Sequence, residues 1–394
     1  MKVVAAIDSF KGSATSAELN QAVLSGFSDQ WETRSIPIAD GGEGSMAAVI
    51  AALGGNYETV SVTAPLGGKL QARMLVTKIK EEKIALIESA EVIGLQLVEP
   101  SDETTRNSSS FGLGQMVLAA CRQGVKKIYL TLGGSGTSDG GVGFLLALGA
   151  TIQRNERMEN NPLLQAESLA LSQLNPLLAQ IDLFALADVT NPYFGNQGFA
   201  QVFGPQKGAS QETIQQLDQQ AKRLAEHIKR TTGIDLEVPG AGAAGGLGGA
   251  VRLAGGQLVP GFATIASLIG FEEKIKEADL LITGEGRIDG QTAGGKVPYG
   301  VALLAHKHQV PVVAICGSRS DDLGKLPQLL SAVFCIQQGP ISLTEAMEKK
   351  RTLVNAQQTA QAIAGFVEQW QKKLNQTLQI GLNKKITPKK LRIG

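Results

Sequence analysis

Six apolar runs in this chain stop at or close to an acid or a glycine, and this constrains the fold more than any other feature. Residues 3–7 stop at Asp8, 35–39 at Asp40, 128–132 at Gly133, 184–187 at Asp188, 280–283 at Gly284, and 312–315 just before Gly317. Helix-like spacing follows several of them. After the first run, Thr15 and Glu18 have the spacing of a capping box, and Leu19, Ala22, Val23, Gly26 and Phe27 recur at helical intervals. Strands alternating with helices predict an α/β fold with mainly parallel strands. In open α/β sheets ligands sit beyond the carboxyl ends of the strands, where this chain gathers its Asp, Glu and Gly residues.

One stretch breaks the alternation. Residues 59–63, 70–79 and 84–87 read as strands joined by short loops at Leu66-Gly67-Gly68 and Glu81-Glu82-Lys83, which predicts hairpins. We read this as the start of a second domain inserted into the first, with the chain returning to the first near residue 265. A length of 394 residues is consistent with about two domains. The segment 376–394 is excluded from both domains, because its end is basic and lacks apolar periodicity.

Charge and cysteine content narrow the function classes. Thirty-seven basic and 36 acidic residues leave a net charge of +1, without the basic bias of a nucleic-acid or membrane surface. Three cysteines without a CxxC pair and three histidines offer no Cys/His metal cluster and suit a reducing cytoplasm. A run of only five apolar residues precedes Asp8, too short for the apolar region of a signal peptide, and no run of about 18 apolar residues suggests a membrane span. Self-association into a homo-oligomer is left open.

Four glycine-rich segments carry chemistry. The first, 8–13, places Asp8, Ser9 and Lys11 between strand and helix, where helix N-termini attract phosphate or carboxylate. The second, 40–45, interleaves Asp40 and Glu43 with Gly41, Gly42 and Gly44. Carboxylates beside a phosphate site suggest Mg²⁺ binding or a base for a hydroxyl. The third, 133–141, offers backbone N–H groups with Gly134, Ser135, Thr137, Ser138 and Asp139, an inventory that suits a nucleotide phosphate. The fourth, 284–296, puts Glu285, Arg287, Asp289 and Lys296 on one loop. Its Gly290 to Lys296 spacing reads GxxxxGK, but Val297 stands where a P-loop needs Ser or Thr. Arg and Lys can neutralise a transferring phosphoryl group, and an acid can hold the metal.

Two further segments are less telling. Asp188 follows a strand and could serve as base or metal ligand, or simply close an Asx turn. The glycines of 240–249 serve either helix packing or a close approach of backbone to ligand. His227, His306 and His308 sit among charged neighbours on predicted helices, which disfavours Ser–His–Asp hydrolysis. A nicotinamide-dependent dehydrogenase needs GxGxxG after the first strand, whereas 8–13 holds one glycine. A non-enzymatic protein closing on an organic acid has little use for so many carboxylates beside glycine loops.

These segments, in this order, resemble the type I glycerate kinase family. The matching stretches are AIDSFKGSATSAE, PIADGGEGS, PLGG, GGSGTSDGG, ADVTNPYFGNQGFAQVFGPQKGA, PGAGAAGGLGGA and ADLLITGEGRIDGQTAGGKVP, across about residues 4–317. Family members read GGSATNDGG at the third glycine loop; here Gly136 and Ser138 replace the Ala and Asn. The resemblance implies phosphorylation of D-glycerate by ATP with Mg²⁺, giving 2-phosphoglycerate. It also implies two α/β lobes with the site in the cleft between them: a Rossmann-like domain from 1–60 and 265–375, and a mixed-sheet domain over 61–264. The alternatives are 3-phosphoglycerate as product or a related small hydroxy acid as substrate. Phosphoryl-transfer physics then suggests roles. Lys11, Arg287 and Lys296 would supply positive charge, and Asp40 or Asp188 would orient the substrate hydroxyl as base. Glu285 or Asp289 would hold Mg²⁺, and backbone amides of 133–141 would cradle phosphate. Glyoxylate metabolism is the expected setting.

Overall fold

The computed structural model describes residues 1–155 and 158–386. Its strands, in chain order, are β1 (Lys2–Ile7), β2 (Glu32–Ser35), β3 (Asn56–Thr63), β4 (Lys69–Ile79), β5 (Glu82–Glu88), β6 (Lys127–Thr131), β7 (Thr151–Arg154), β8 (Ala166–Ala170), β9 (Asp182–Leu186), β10 (Gln257–Val259), β11 (Leu280–Ile288), β12 (Val312–Arg319) and β13 (Ala332–Cys335). Five of them form a wholly parallel sheet in the order β13-β12-β11-β1-β2. Six form a second sheet, β10-β9-β6-β5-β4-β3. Its first four strands are parallel, and the hairpins through β4 and β3 add an antiparallel edge. β7 and β8 make a small antiparallel ribbon. The fold is therefore α/β with one parallel and one mixed sheet, as the alternation of runs predicts.

Strand limits differ from the sequence reading in instructive ways. β11 does not stop at residue 283. It stays paired to β12 through Glu285↔Cys316 and Arg287↔Ser318, so Glu285 is a strand residue held in register. β2 begins and ends earlier than the apolar run at 35–39. Ile36 still donates its N–H to the Ala5 carbonyl at 2.9 Å, but Pro37 has no N–H to continue the ladder, and the chain leaves the sheet for Asp40. The first helix, Ser16–Leu24, has the predicted capping box: Thr15 Oγ1 accepts the Glu18 N–H, and Glu18 Oε2 accepts the Thr15 N–H.

The two sheets share a layer of helices. On the outer face of the parallel sheet, Val3, Ile7 and Ile282 pack against Leu19, Val23, Ala356 and Ala360, from helices Ser16–Leu24 and Lys349–Ile386. On its inner face, Val4, Ala6 and Leu281 join a core that includes Met46 and Val49 of helix Ser45–Leu53, Phe262 and Ile265 of helix Gly261–Leu268, and Leu75, Leu86 and Leu186 of the mixed sheet. The far face of the mixed sheet is covered by a third core, with Ile87, Ile128 and Leu130 against Leu113, Val117, Phe144 and Leu247. The helix Lys349–Ile386 runs into the segment that the sequence reading sets aside as a tail, and residues 387–394 lie outside the described residues. Among the described residues no helix is long and apolar enough to cross a membrane.

Candidate active site

The carboxyl ends of the two sheets meet because glycines let backbone touch backbone. Gly41 has φ of +88°, and a Cβ there would fall 2.4 Å from the Gly261 Cα. A Cβ on Gly261 would in turn lie 2.1 Å from the Asp40 carbonyl and 2.8 Å from Asp188 Oδ2. No side chain fits at either position. The contact carries Asp40, after β2, to the side of Asp188, after β9. Asp188 is fixed there by the first N–H of helix Gly261–Leu268, which donates to its Oδ1 at 2.8 Å.

Two cavities open at this junction. The smaller, about 250 Å³, is lined by Lys11, Asp40, Gly41, Gly42, Gly133, Gly134, Ser135, Asp188, Phe203 and Lys207, among others. The larger, about 680 Å³, is lined by Asp8, Ser9, Lys11, Asp40, Glu285, Arg287 and Lys296, with an apolar wall that includes Phe10, Ile341, Leu343 and Met347. Lys11 and Asp40 line both, and Lys11 Nζ stands 3.7 Å from Asp40 Oδ2. Glu43 instead faces an adjoining cavity with Asp8, Ser9 and Lys11.

The electrostatics follow from crowding of acids at low exposure. Asp8 is 4% exposed, and burial together with the neighbouring Asp40 pushes its carboxyl well above the ordinary value, although Lys11 pulls the other way. Its Oδ1 accepts the Ser9 N–H at 2.8 Å. Burial likewise raises Glu285, against the opposing pull of Thr292 Oγ1, which donates to Oε1 at 2.6 Å, and of Lys296, 3.4 Å from Oε2. The acids around Lys11, Asp40 foremost, hold its ammonium above its usual value. Asp188 is pushed up to about 6 by burial, with Asp40 adding to the effect.

Several sequence expectations need correction. Thr137, Ser138 and Asp139 do not face any of these cavities, since all three are fully buried behind the glycine loop. Asp139 is an internal cap. Its oxygens accept the N–H groups of Ser110, Gly141 and Gly143 and the Ser110 hydroxyl, tying helices Phe111–Arg122 and Val142–Ala147 together. The loop therefore meets the cavity through Gly133, Gly134 and Ser135 alone. Asp289 lines neither cavity. It caps the 3₁₀ turn Gly290–Gly294 through the Gln291 N–H and sits 3.4 Å from Arg287, so its carboxylate is not aimed at a metal in the cleft. The same turn shows that Gly290 to Lys296 is not a phosphate-wrapping loop. The glycines of 240–249 serve mainly packing: a Cβ at Gly248 would lie 2.1 Å from the Gly240 carbonyl, and one at Gly246 would lie 2.5 Å from the Gly140 Cα.

Two residues escape the sequence reading. Glu88, at the end of β5, accepts the Met46 N–H at 2.7 Å near the start of helix Ser45–Leu53, and burial lifts its carboxyl to about 7. Lys207 is 3% exposed and lines the smaller cavity. Its only sequence signal is a lysine enclosed by Gly204-Pro205-Gln206 and Gly208, which looks like a turn.

Among the described residues no three acids, histidines or cysteines form a ready cage for a metal. Mg²⁺ does not require one, because it commonly takes one or two carboxylates and completes its shell with phosphate oxygens and water. Asp8 and Glu285, both buried on the wall of the larger cavity, fit that need better than Asp289, which lines neither cavity.

The sequence model described as the glycerate kinase family matches residues 3–368. A glycerate kinase of Halalkalibacterium halodurans is 38% identical over 380 residues, covering 94% of this chain and 99% of that protein. A glycerate 2-kinase of Escherichia coli is 40% identical over 356 residues, covering 88% and 93%. The crystal structure of a Salmonella typhimurium LT2 protein assigned as glycerate kinase 2 superposes with a TM-score of 0.80 at 36% identity, over 94% of this chain and 99% of that one. Likeness at this level, over nearly the whole length of the chain and of its relatives, shows that this chain belongs to the glycerate kinase family.

Proposed function

We propose that this protein transfers the γ-phosphoryl group of ATP to the 2-hydroxyl of D-glycerate, giving 2-phosphoglycerate and ADP. The observation that carries the reading is the common wall of the two cavities. Lys11 and Asp40 face both, so a group leaving one cavity for the other passes them. The larger volume lies within the range of about 300–1,000 Å³ that holds drug-sized ligands, and the smaller falls just below it, as a three-carbon acid needs. Ile341, Leu343 and Met347, exposed large apolar residues on the wall of the larger cavity, offer a surface for a nucleotide base. The name of the E. coli relative supports the choice of the 2-hydroxyl.

In this reading the hydroxyl oxygen attacks the γ-phosphorus while its proton passes to the Asp188 carboxylate, and the bond to the β-bridging oxygen breaks to release ADP. Asp188 suits the task because its affinity for protons, raised to about 6, lies close to neutrality while leaving it ionised above that pH. Lys11, Lys296 and Arg287 offset the charge on the phosphoryl oxygens. Asp40 holds Lys11 in place. Mg²⁺, when bound, would neutralise phosphate charge, and Asp8 and Glu285 would hold it. The backbone N–H groups of 133–135 would border the acceptor. Three free cysteines support a reducing cytoplasm as the setting.

A coupled assay for ADP release with D-glycerate and Mg²⁺-ATP tests the reading, followed by phosphorus NMR of the product. The expected result is glycerate-dependent turnover with a single 2-phospho resonance. A 3-phospho product would move the site of attack, and the absence of glycerate-dependent turnover would remove the assignment.

A further inference from the structure

The smaller cavity contains a cation that the phosphoryl step does not use. Lys207 reaches it from the 3₁₀ turn Pro205–Lys207, with the side chain almost wholly inside the protein. Its Nζ donates to the Thr137 carbonyl at 2.5 Å and to Ser135 Oγ at 3.1 Å. Both acceptors are neutral, and an ammonium has a third donor to place. Among the described residues no carboxylate stands within ion-pair distance of it. The acid whose charge bears on it is Asp139, whose oxygens are already taken by four donors behind the loop. The other charged groups facing this cavity are Lys11, Asp40 and Asp188. Lys207 does not line the larger cavity, whereas Lys11 lines both.

We propose that Lys207 receives the carboxylate of the acceptor, so that the smaller cavity selects 2-hydroxycarboxylates over neutral polyols of the same size. The inference rests on the glycerate reading and deepens it. A buried ammonium without a counter-ion is costly, and proteins keep such groups where an anion arrives to complete them. Ser135, which also lines the cavity, and the Thr137 carbonyl fix the ammonium in position. The acid would then be held by its carboxylate at Lys207, with its hydroxyl free to reach Asp188 and the phosphoryl group arriving beside Lys11. Burial lowers the ammonium to about 7, so at pH 8 the empty site is largely neutral and an arriving carboxylate draws a proton onto it.

Two measurements on the full chain test this. The first is calorimetric titration of wild type with D-glycerate at pH 8 in buffers of different ionisation heat. Uptake approaching one proton is expected, and none in Lys207→Met. The second is steady-state kinetics with D-glycerate and with its neutral amide. Loss of a charged hydrogen bond is worth about 10- to 150-fold, so Lys207→Met should raise the KM for D-glycerate by that factor. Its preference for acid over amide should collapse, while the KM for ATP stays within threefold. Lys207→Arg should recover part of the preference. The inference is overturned if the KM for ATP rises while that for glycerate holds, which would place a nucleotide phosphate on Lys207. It is also overturned if Lys207→Met keeps the wild-type preference for acid over amide. A wild type that binds no D-glycerate yet takes up a proton with L-lactate would end the glycerate reading and keep the role of Lys207. Thermal unfolding checks the fold of Lys207→Met, and if that variant fails to fold, Lys207→Gln and Lys207→Arg carry the same comparison of acid with amide.

Discussion

Lys11 Nζ stands 3.7 Å from Asp40 Oδ2 on the wall that the two cavities share. The two residues come from separate crossings out of the parallel sheet, one after β1 and one after β2, and both line the two cavities. The cation is well exposed, so the pair adds little to stability. Its value lies in presenting positive charge where phosphoryl charge would pass.

Replacing Lys11 with Met should therefore lower kcat by about 10²–10³, the cost of removing one preorganised charge-stabilising donor. Chemical denaturation should change little. Steady-state kinetics beside urea unfolding reads both, and a kcat within threefold of wild type would remove Lys11 from the transfer step.

Asp188 gives a prediction in pH. Burial holds its carboxyl near 6, so it is ionised and able to accept a proton above that value and protonated below it. Activity should rise with pH through about 6, and Asp188→Asn should lose about 10²–10⁴ in kcat together with that limb of the profile. Stability should move the opposite way. A carboxyl raised above its unfolded value favours the native state most below the unfolded pKa, and the advantage fades as pH climbs through about 6. Asp188→Asn should thus be more stable than wild type at pH 8 by about 1–2 kcal/mol, read from urea midpoints at pH 5 and pH 8. A variant that loses activity and stability together at pH 8 would mark Asp188 as a structural residue.

The strand ends were legible because burial and hydrogen bonding in a parallel sheet demand apolar runs, and the turns that follow demand Asp and Gly. This is why Asp8, Asp40 and Asp188 stand out in the sequence and do gather at the cleft, where Glu285 joins them from within β11. The same turn chemistry misleads at 137–139. A polar stretch inside a glycine loop has the same composition whether it faces a ligand or caps two helices, and only the third dimension shows Ser110 closing over Asp139. Lys207 is hidden for the converse reason. A lone lysine in a turn is usually solvated, and its burial depends on residues 133–137 and 243–245, remote in sequence.

Asp139→Asn separates these two meanings. The amide cannot accept at its nitrogen, so at least one of the four internal donors is left unpaired in a fully buried setting. A loss of about 2–4 kcal/mol is expected in urea unfolding. The folded fraction should keep the KM for both substrates within threefold. A stable variant with a raised KM for ATP would restore Asp139 to the phosphate site.

The larger cavity is assigned to the nucleotide largely by its apolar wall, and that wall is open to test without touching a charge. Ile341, Leu343 and Met347 expose 36%, 75% and 40% of their surface, an unusual cluster of large apolar groups in water that a flat base would cover. Each loses contact area if truncated, at about 25 cal/mol per Å² of apolar surface removed from water. The double variant Ile341→Ser with Leu343→Ser should raise the KM for ATP about tenfold and leave the KM for D-glycerate unchanged. Because both side chains are partly in solvent already, the urea midpoint should stay close to wild type. If the KM for glycerate rises and that for ATP does not, the two cavities have exchanged tenants: the acid occupies the larger one, and the nucleotide must bind elsewhere along the strand ends.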